Sequence, residues 1–492
     1  MNSSLLEEPS KDDFRLSSVA DYERFFNIGS HRGCGFAVNA LASLFSPPFR
    51  NSPGLAEQTM VGKGPNSESG LKRDNRRTMT DMRLGWALTA CLGAAFLTAC
   101  SHPQKTVSHT WDPRAAAAYL DQREVTWMAW PNAARDHDTF CVSCHTVVPY
   151  ALSRPLLRNA LAERGPSADE RKLLDNVTKR VRLWNEIGPF YSGKGYDNSK
   201  ADESRGTEAV LNALILAHYD AQAGHLSEIS NAAFNNMWAT QLNDGEGRGA
   251  WRWLQFGMEP WEARDSQYYG AALAAIAVGT APENYRSTPD IQAEVGMLRD
   301  YLNHGYATQS TLNQVVLLWA SEKLPELLKP EQQQAIIREV SDAQQSDGGW
   351  ALSPLAWPKN RGWHSIISTH LRSDLTRQDA DSDGYATGLI AFVLQQTGMP
   401  SDNPTLRRAL SWLAQNQNTQ DGSWPSLSLT KRRDSSSNTG HFMRDAATAY
   451  AVLALTESST AANASREEEE NEAGEISKSP SSSNVTVVAR RN

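Results

Sequence analysis

Between Arg205 and Leu455 the chain returns again and again to one pattern, a polar start followed by an Ala/Leu-rich stretch with small residues on nearly every face. It occurs at 206–214, 269–275, 385–391 and 447–455. A helix that is apolar all round has no face to offer water, so these stretches suit inner helices packed on every side. Amphipathic stretches such as 406–413 lie between them and suit an outer layer. Repetition on this scale predicts stacked helical hairpins that either close on themselves or form a solenoid.

The loops carry a second regularity. Gln344-Gln345-Ser346-Asp347-Gly348-Gly349-Trp350 has a looser copy in Asn416-Gln417-Asn418-Thr419-Gln420-Asp421-Gly422-Ser423-Trp424, and Gln241-Leu242-Asn243-Asp244-Gly245 with Trp251 is a copy carrying an insertion. Asp-Gly-Gly permits a tight turn with positive φ, while Gln and Trp can hydrogen-bond and stack from hairpin to hairpin. These loops resemble the QW motif of squalene-hopene cyclases and related prenyltransferase-like α/α toroids. The resemblance covers residues 201–456 and implies an all-α fold, a single α/α toroid built as a barrel of helical hairpins. It speaks for fold and not for chemistry. In that family the cyclases protonate an alkene with the middle acid of a D-x-D-D motif, and Asp381-Ser382-Asp383-Gly384 resembles it with the last acid replaced by Gly. The resemblance thus implies Asp383 as proton donor and Asp381 as its supporting partner. From the residues alone, Asp379, Asp381 and Asp383 equally suit the capping of the helix that follows. The zinc site of prenyltransferases is not carried over, because the toroid holds no Cys.

A different motif specifies a cofactor. Cys141-Val142-Ser143-Cys144-His145 spells C-x-x-C-H, in which two thiols can each form a thioether with a haem vinyl group and the adjoining imidazole reaches the iron. A zinc site needs further ligands at similar spacing, and no second C-x-x-C or C-x-x-H occurs. A redox dithiol needs a βαβ setting, which this helical sequence lacks. Residues 100–200 are therefore read as a small helical c-type haem region preceding the toroid. Asp112-Pro113 opens a helix there, and a Ser167/Glu170 capping box starts a second one running towards Trp184. No Met occurs between Met128 and Met237, so the sixth iron position falls to Met128, His137 or the toroid, or stays open. The region is too short to enclose haem alone. Trp127, Trp130 and the aromatic cluster at 251–262 are expected to cover it, since haem is a large apolar surface. That cluster, Trp251, Trp253 and Trp261 with Glu259 and Glu262, reads either as a ligand-binding wall with an acid or base, or as core aromatics with a loop ion pair. Glu208, Asp265 and Asp445 are placed where other inner helices begin.

Attachment of haem to such a motif resembles the bacterial system that works outside the cytoplasmic membrane. Consistent with export, Met82-Arg83, an apolar run at 84–97 and Leu97-Thr98-Ala99-Cys100 read as a lipoprotein signal at 82–99 with Cys100 as the lipidated residue. The run is too short to span a bilayer. Residues 1–81 are then doubtful upstream sequence or disordered, and Ser101 beside Cys100 resembles the pattern that sends lipoproteins to an outer membrane. Of the five Cys, Cys34 and Cys91 fall in these segments, Cys100 takes lipid, and Cys141 and Cys144 take haem, so no disulfide is expected. A net charge of -8 and the absence of a long basic stripe argue against nucleic acid. Residues 457–492, with the run at 467–470, read as a disordered acidic tail. The expectation is a periplasmic, lipid-anchored haem c protein with a redox role, passing electrons to a partner protein or oxidising a small molecule presented by the toroid. A toroid enzyme, terpene cyclase-like or glycan-active, with accessory haem is the alternative, and a non-catalytic binding module is a third.

Overall fold

Helix α1 (Pro113–Ala129) starts where Asp112 caps it, its carboxylate accepting from the Arg114 and Ala115 amides while Pro113 supplies a preset φ. A two-residue hairpin, β1 (Ala134–Arg135) with β2 (Thr139–Phe140), leads to α2 (Val147–Ala160). Helix α3 (Ala168–Arg182) opens on the expected capping box, with Ser167 and Glu170 each satisfying the other's amide. Then follow α4 (Asn198–Ala223), α5 (Glu228–Ala239), α6 (Ser266–Thr280), α7 (Gln292–Gly305), α8 (Thr311–Lys323), α9 (Pro330–Asp342), the short α10 (Trp363–Ser368), α11 (Gly384–Gln396), α12 (Pro404–Gln415) and α13 (Asn438–Lys478). This computed structural model describes residues 110–192, 196–359 and 363–478. The upstream segment, the signal and Cys100 lie outside them.

Helices α2, α4, α6, α8, α11 and α13 pack each on the next, and α13 returns to α2, which closes them into a ring. Four of them, α4, α6, α11 and α13, carry the recurring small-residue stretches. In α6 every residue from Tyr268 to Val278 is buried, as a helix with neighbours on all sides requires. Helices α1, α3, α5, α7, α9 and α12 pack outside them; α12 buries one stripe, Leu406, Ala409, Trp412 and Leu413.

The three Gln/Trp loops make one joint three times over. Each Trp is fully buried and donates its indole N–H to the end of its own outer helix: Trp251 to Met237 O, Trp350 to Val340 O and Trp424 to Leu413 O, at 2.7–2.8 Å. Each Gln amide donates to its own loop and to the start of the next outer helix, Gln241 to Glu294 O, Gln344 to Thr405 O and Gln417 to Asp112 O. The residue two before each Trp is a glycine with positive φ, and at Gly422 (φ 78°) a Cβ would lie 2.4 Å from the carbonyl oxygen of Ala115. The third joint therefore ties α12 to α1.

That joint corrects the expected domain division. Helices α1 to α3 are not a small region preceding the toroid; α1 and α2 form the first hairpin of the ring itself, within one compact unit, Ser108–Asn492. The boundary expected near residue 200 falls inside it. The segment beyond 456 also departs from expectation, because the backbone of α13 stays helical to Lys478.

Candidate functional site at the ring mouth

The hairpin delivers the Cys141–His145 loop to the amino end of α2, and hydrogen bonds fix the loop at both ends. The Cys141 amide donates to Ala133 O at 2.8 Å, the Trp127 indole donates to Cys141 O at 2.7 Å, and Asn176 of α3 brackets the Phe140 backbone at 2.8 and 3.1 Å. At the other end Ser143 Oγ accepts from the Thr146 and Val147 amides at 3.3 and 3.2 Å, which starts α2.

Both thiols are unpaired and buried, Cys141 at 5% and Cys144 at 3% exposure. Burial pushes Cys141 up to about 11 and Cys144 well above the ordinary thiol range. A redox dithiol needs the opposite, a stabilised thiolate. Burial, then Arg123 and Arg433, hold the His145 imidazole well below its usual pKa, so it is neutral, as a metal ligand must be.

The hydrogen bonds around His145 assign its tautomer. Thr146 Oγ1 donates its single proton to Asp445 Oδ2 at 2.8 Å and lies 2.8 Å from His145 Nδ1. That oxygen can only accept from the ring, so Nδ1 carries the hydrogen and Nε2 keeps its lone pair. The other carboxylate oxygen of Asp445 accepts from Tyr119 Oη and Arg123 Nε, both at 2.9 Å. Phe442 stacks on the imidazole (centroids 3.6 Å apart, planes at 16°), Trp127 meets it edge-on at 5.1 Å and Trp261 lies 6.0 Å away. Trp130 stands behind, 5.5 Å from Trp127 and 6.1 Å from Phe442.

Trp127, Trp130 and Trp261 thus gather at the motif as expected, whereas Trp251 and Trp253 are core residues bonded to backbone carbonyls. Beyond Cys144 lie the buried tyrosines Tyr269, Tyr385 and Tyr450, each raised in pKa by burial first, with Cys144 contributing. Trp261 donates to Tyr385 Oη at 3.0 Å. Glu262 stands at the same mouth, its pKa raised by burial to about 7 against the lowering effect of Lys200 and Arg433. Arg433 also touches Met258 Sδ at 3.5 Å.

Other sequence candidates fall elsewhere. Asp383 is the amino-terminal cap of α11: Oδ1 accepts from the Tyr385 and Ala386 amides and Ser426 Oγ, and Oδ2 from the Leu352 amide at 2.6 Å. Burial raises its pKa to about 6 and those bonds oppose the rise, leaving it mostly ionised at neutral pH. Asp381 is exposed, and both line a cavity of about 90 Å³, room for a few waters. Asp383 therefore does a cap's work, and the geometry gives a proton-donor role no substrate space. Glu208 sits mid-helix, bonded to Arg180 at 2.5 Å, and His137 is on the exposed hairpin turn beside Asp136. Asp265 stands at the N-cap position of α6, where its carboxylate accepts from Asn313 at 3.3 Å and makes no capping bond to the helix amides. Phe442, Thr146 and the role of Asp445 escaped the sequence reading; nothing in Asn438-Thr439-Gly440-His441-Phe442 marks it as facing residue 145. At the opposite end of the ring, Leu152, Leu214, Ile276, Trp319, Phe392 and Leu453 help to line a second cavity of about 320 Å³.

No family model matches the chain, and no curated protein matches it. A solved structure named as a glycosidase aligns with a TM-score of 0.39 at 12% identity, over 70% of this chain and 97% of that one. A likeness at that level carries no argument about chemistry. Among the described residues, no group of three or more His, Cys, Asp or Glu is arranged to hold a metal ion, and no helix is long and apolar enough to cross a membrane.

Proposed function

We propose that the chain is a covalent c-type haem protein with a redox role, its attachment loop built into the mouth of the helical ring. The observation that carries this reading is the tautomer of His145: beside two unpaired buried thiols at the right spacing, the imidazole is held neutral with Nε2 free to serve as a ligand. Haem c, when bound, supplies one-electron exchange or, with an open iron position, oxidation chemistry. The chain's own residues do the rest. Cys141 and Cys144 anchor, and Phe442 and Trp127 fix the imidazole plane. Trp261, Trp130 and the mouth tyrosines keep water from the apolar faces. The partner is a redox protein or a small molecule presented at the mouth. We place the protein in the periplasm, tethered through lipid on Cys100 to a bacterial membrane, in the expected outer-membrane pattern; intact mass of the exported protein should begin at modified Cys100, and peptides from 1–75 in it would refute the assignment.

The test of the main reading is a pyridine haemochrome assay on denatured protein, which should show a c-type band at one haem per chain. Haem that extracts into acidified solvent sinks it. A second reading, a ligand-processing toroid with accessory haem, is favoured by Glu262, a shielded carboxyl raised to about 7 at the mouth, which suits an acid or base working near neutral pH. Turnover of a glycan or terpenoid that Glu262→Gln abolishes while haem loading persists would establish it over the first.

A further inference from the structure

We propose that Thr146 and Asp445 are positioning residues for His145, which hold its hydrogen on Nδ1 and place negative charge behind the ring, so that they set how strongly Nε2 donates to iron. This rests on the haem reading above. The chain His145 Nδ1–H to Thr146 Oγ1 to Asp445 Oδ2 has two links of 2.8 Å, with Thr146 at 3% and Asp445 at 2% exposure, so water does not compete for it. Its direction is fixed, because a hydroxyl has one proton and the carboxylate can only accept it. Asp445 is held in turn by Tyr119 and Arg123, both at 2.9 Å and both from α1. Asp445 belongs to α13, the last inner helix, whereas His145 stands ahead of α2, the first. The acceptor behind the ligand therefore exists only where the ring closes. A carboxylate acting through a hydrogen-bonded intermediary raises the basicity of a metal-bound imidazole and favours the more positive oxidation state.

A purely structural network, stapling α13 to α1 and α2, would affect stability and leave the iron alone. The experiment is a spectroelectrochemical titration of full-length, haem-loaded wild type, Thr146→Val, Thr146→Ser and Asp445→Asn, each checked for covalent haem. Thr146→Val should raise the midpoint potential by about tenfold in the reduced-to-oxidised ratio at a fixed poise, which is about 59 mV for one electron. Asp445→Asn should move it the same way, and Thr146→Ser, which keeps the hydroxyl, should stay near wild type. A loaded Thr146→Val protein with the wild-type potential overturns the inference, as does a Ser variant that shifts as far as Val. Should the Val variant fail to mature, Asp445→Asn decides: an unmoved potential overturns it. A wild type without covalent haem instead defeats the functional reading, a separately visible result.

Discussion

Glu124 offers the sharpest test of the burial on which the ring depends. It lies on α1, is fully buried, and neither carboxyl oxygen has a hydrogen-bond partner. Burial first, then the charges of Asp445, Asp169 and Asp121, raise its pKa from 4.5 to about 8. The folded state then binds this proton more tightly than the unfolded chain, so the stability it contributes is full below pH 4.5 and is lost as pH rises towards 8. Each pH unit across that window costs about 1.4 kcal/mol, less near the lower pKa, which gives a loss of about 2.5 kcal/mol between pH 5 and pH 7 from this group alone. Glu124→Gln keeps the shape without the charge and should remove that slope. Urea unfolding of both proteins at pH 5 and pH 7 measures it; Asp383 and Glu262, whose raised pKa values slope the same way, cancel in the comparison. If the difference between the two proteins changes by less than about 0.5 kcal/mol from pH 5 to pH 7, Glu124 is not a buried acid and the packing of α1 on α2 is wrong.

Two further outcomes follow from the closure of the ring. Gly422→Ala should destabilise the protein by about 2 kcal/mol more than Gly398→Ala, since both glycines have positive φ but only Gly422 abuts backbone, that of Ala115; equal losses in urea midpoints would mean that α12 and α1 are not joined. On the proposed haem function, a chain ending near residue 200 should lose Trp261, Phe442 and Asp445 from the site, and so show an altered iron spectrum and no cooperative unfolding; the full-length spectrum in that fragment would show that the Cys141–His145 loop needs no ring.

What the sequence made legible is what local chemistry dictates. Capping at Asp112 and Ser167, all-round burial of the Ala-rich helices and the Gln/Trp joints are each written in a few adjacent residues, and each is found where the spacing puts it. The Cys141–His145 motif is local too, five consecutive residues, and Trp127 and Trp261 gather on its imidazole. The count of hairpins was not. Helix α2 has Arg154, Arg158 and Pro155 within it and lacks the small-residue pattern of α4, α6, α11 and α13, so it does not announce itself as an inner helix. Those arginines are buried only because Asp121, Glu163 and Glu170 neutralise them, contacts made across separate segments. The same holds for Asp383, whose D-x-D-like setting is shared by catalytic acids and by caps; four donors converging from three segments decide between them, and no local pattern encodes that convergence.

The Cys141–His145 loop is held by elements from across the ring. A haem on a tethered loop would meet solvent on two faces, whereas the Cys141–His145 loop is bracketed by Asn176 of α3, Trp127 of α1 and Thr146 at the amino end of α2, and then covered by Phe442 of α13. Four helices from both ends of the chain must be in place before the imidazole is oriented. Since Asp445 and Phe442 arrive last in sequence, the site is completed by the final hairpin, and destabilising the seam between α13 and α1 should loosen the His145 imidazole before it unfolds the ring. That seam is held by Arg123 and Tyr119 on one buried carboxylate, so loss of Arg123 leaves Asp445 with an uncompensated buried charge, whereas loss of Tyr119 leaves the ion pair but removes a buried donor.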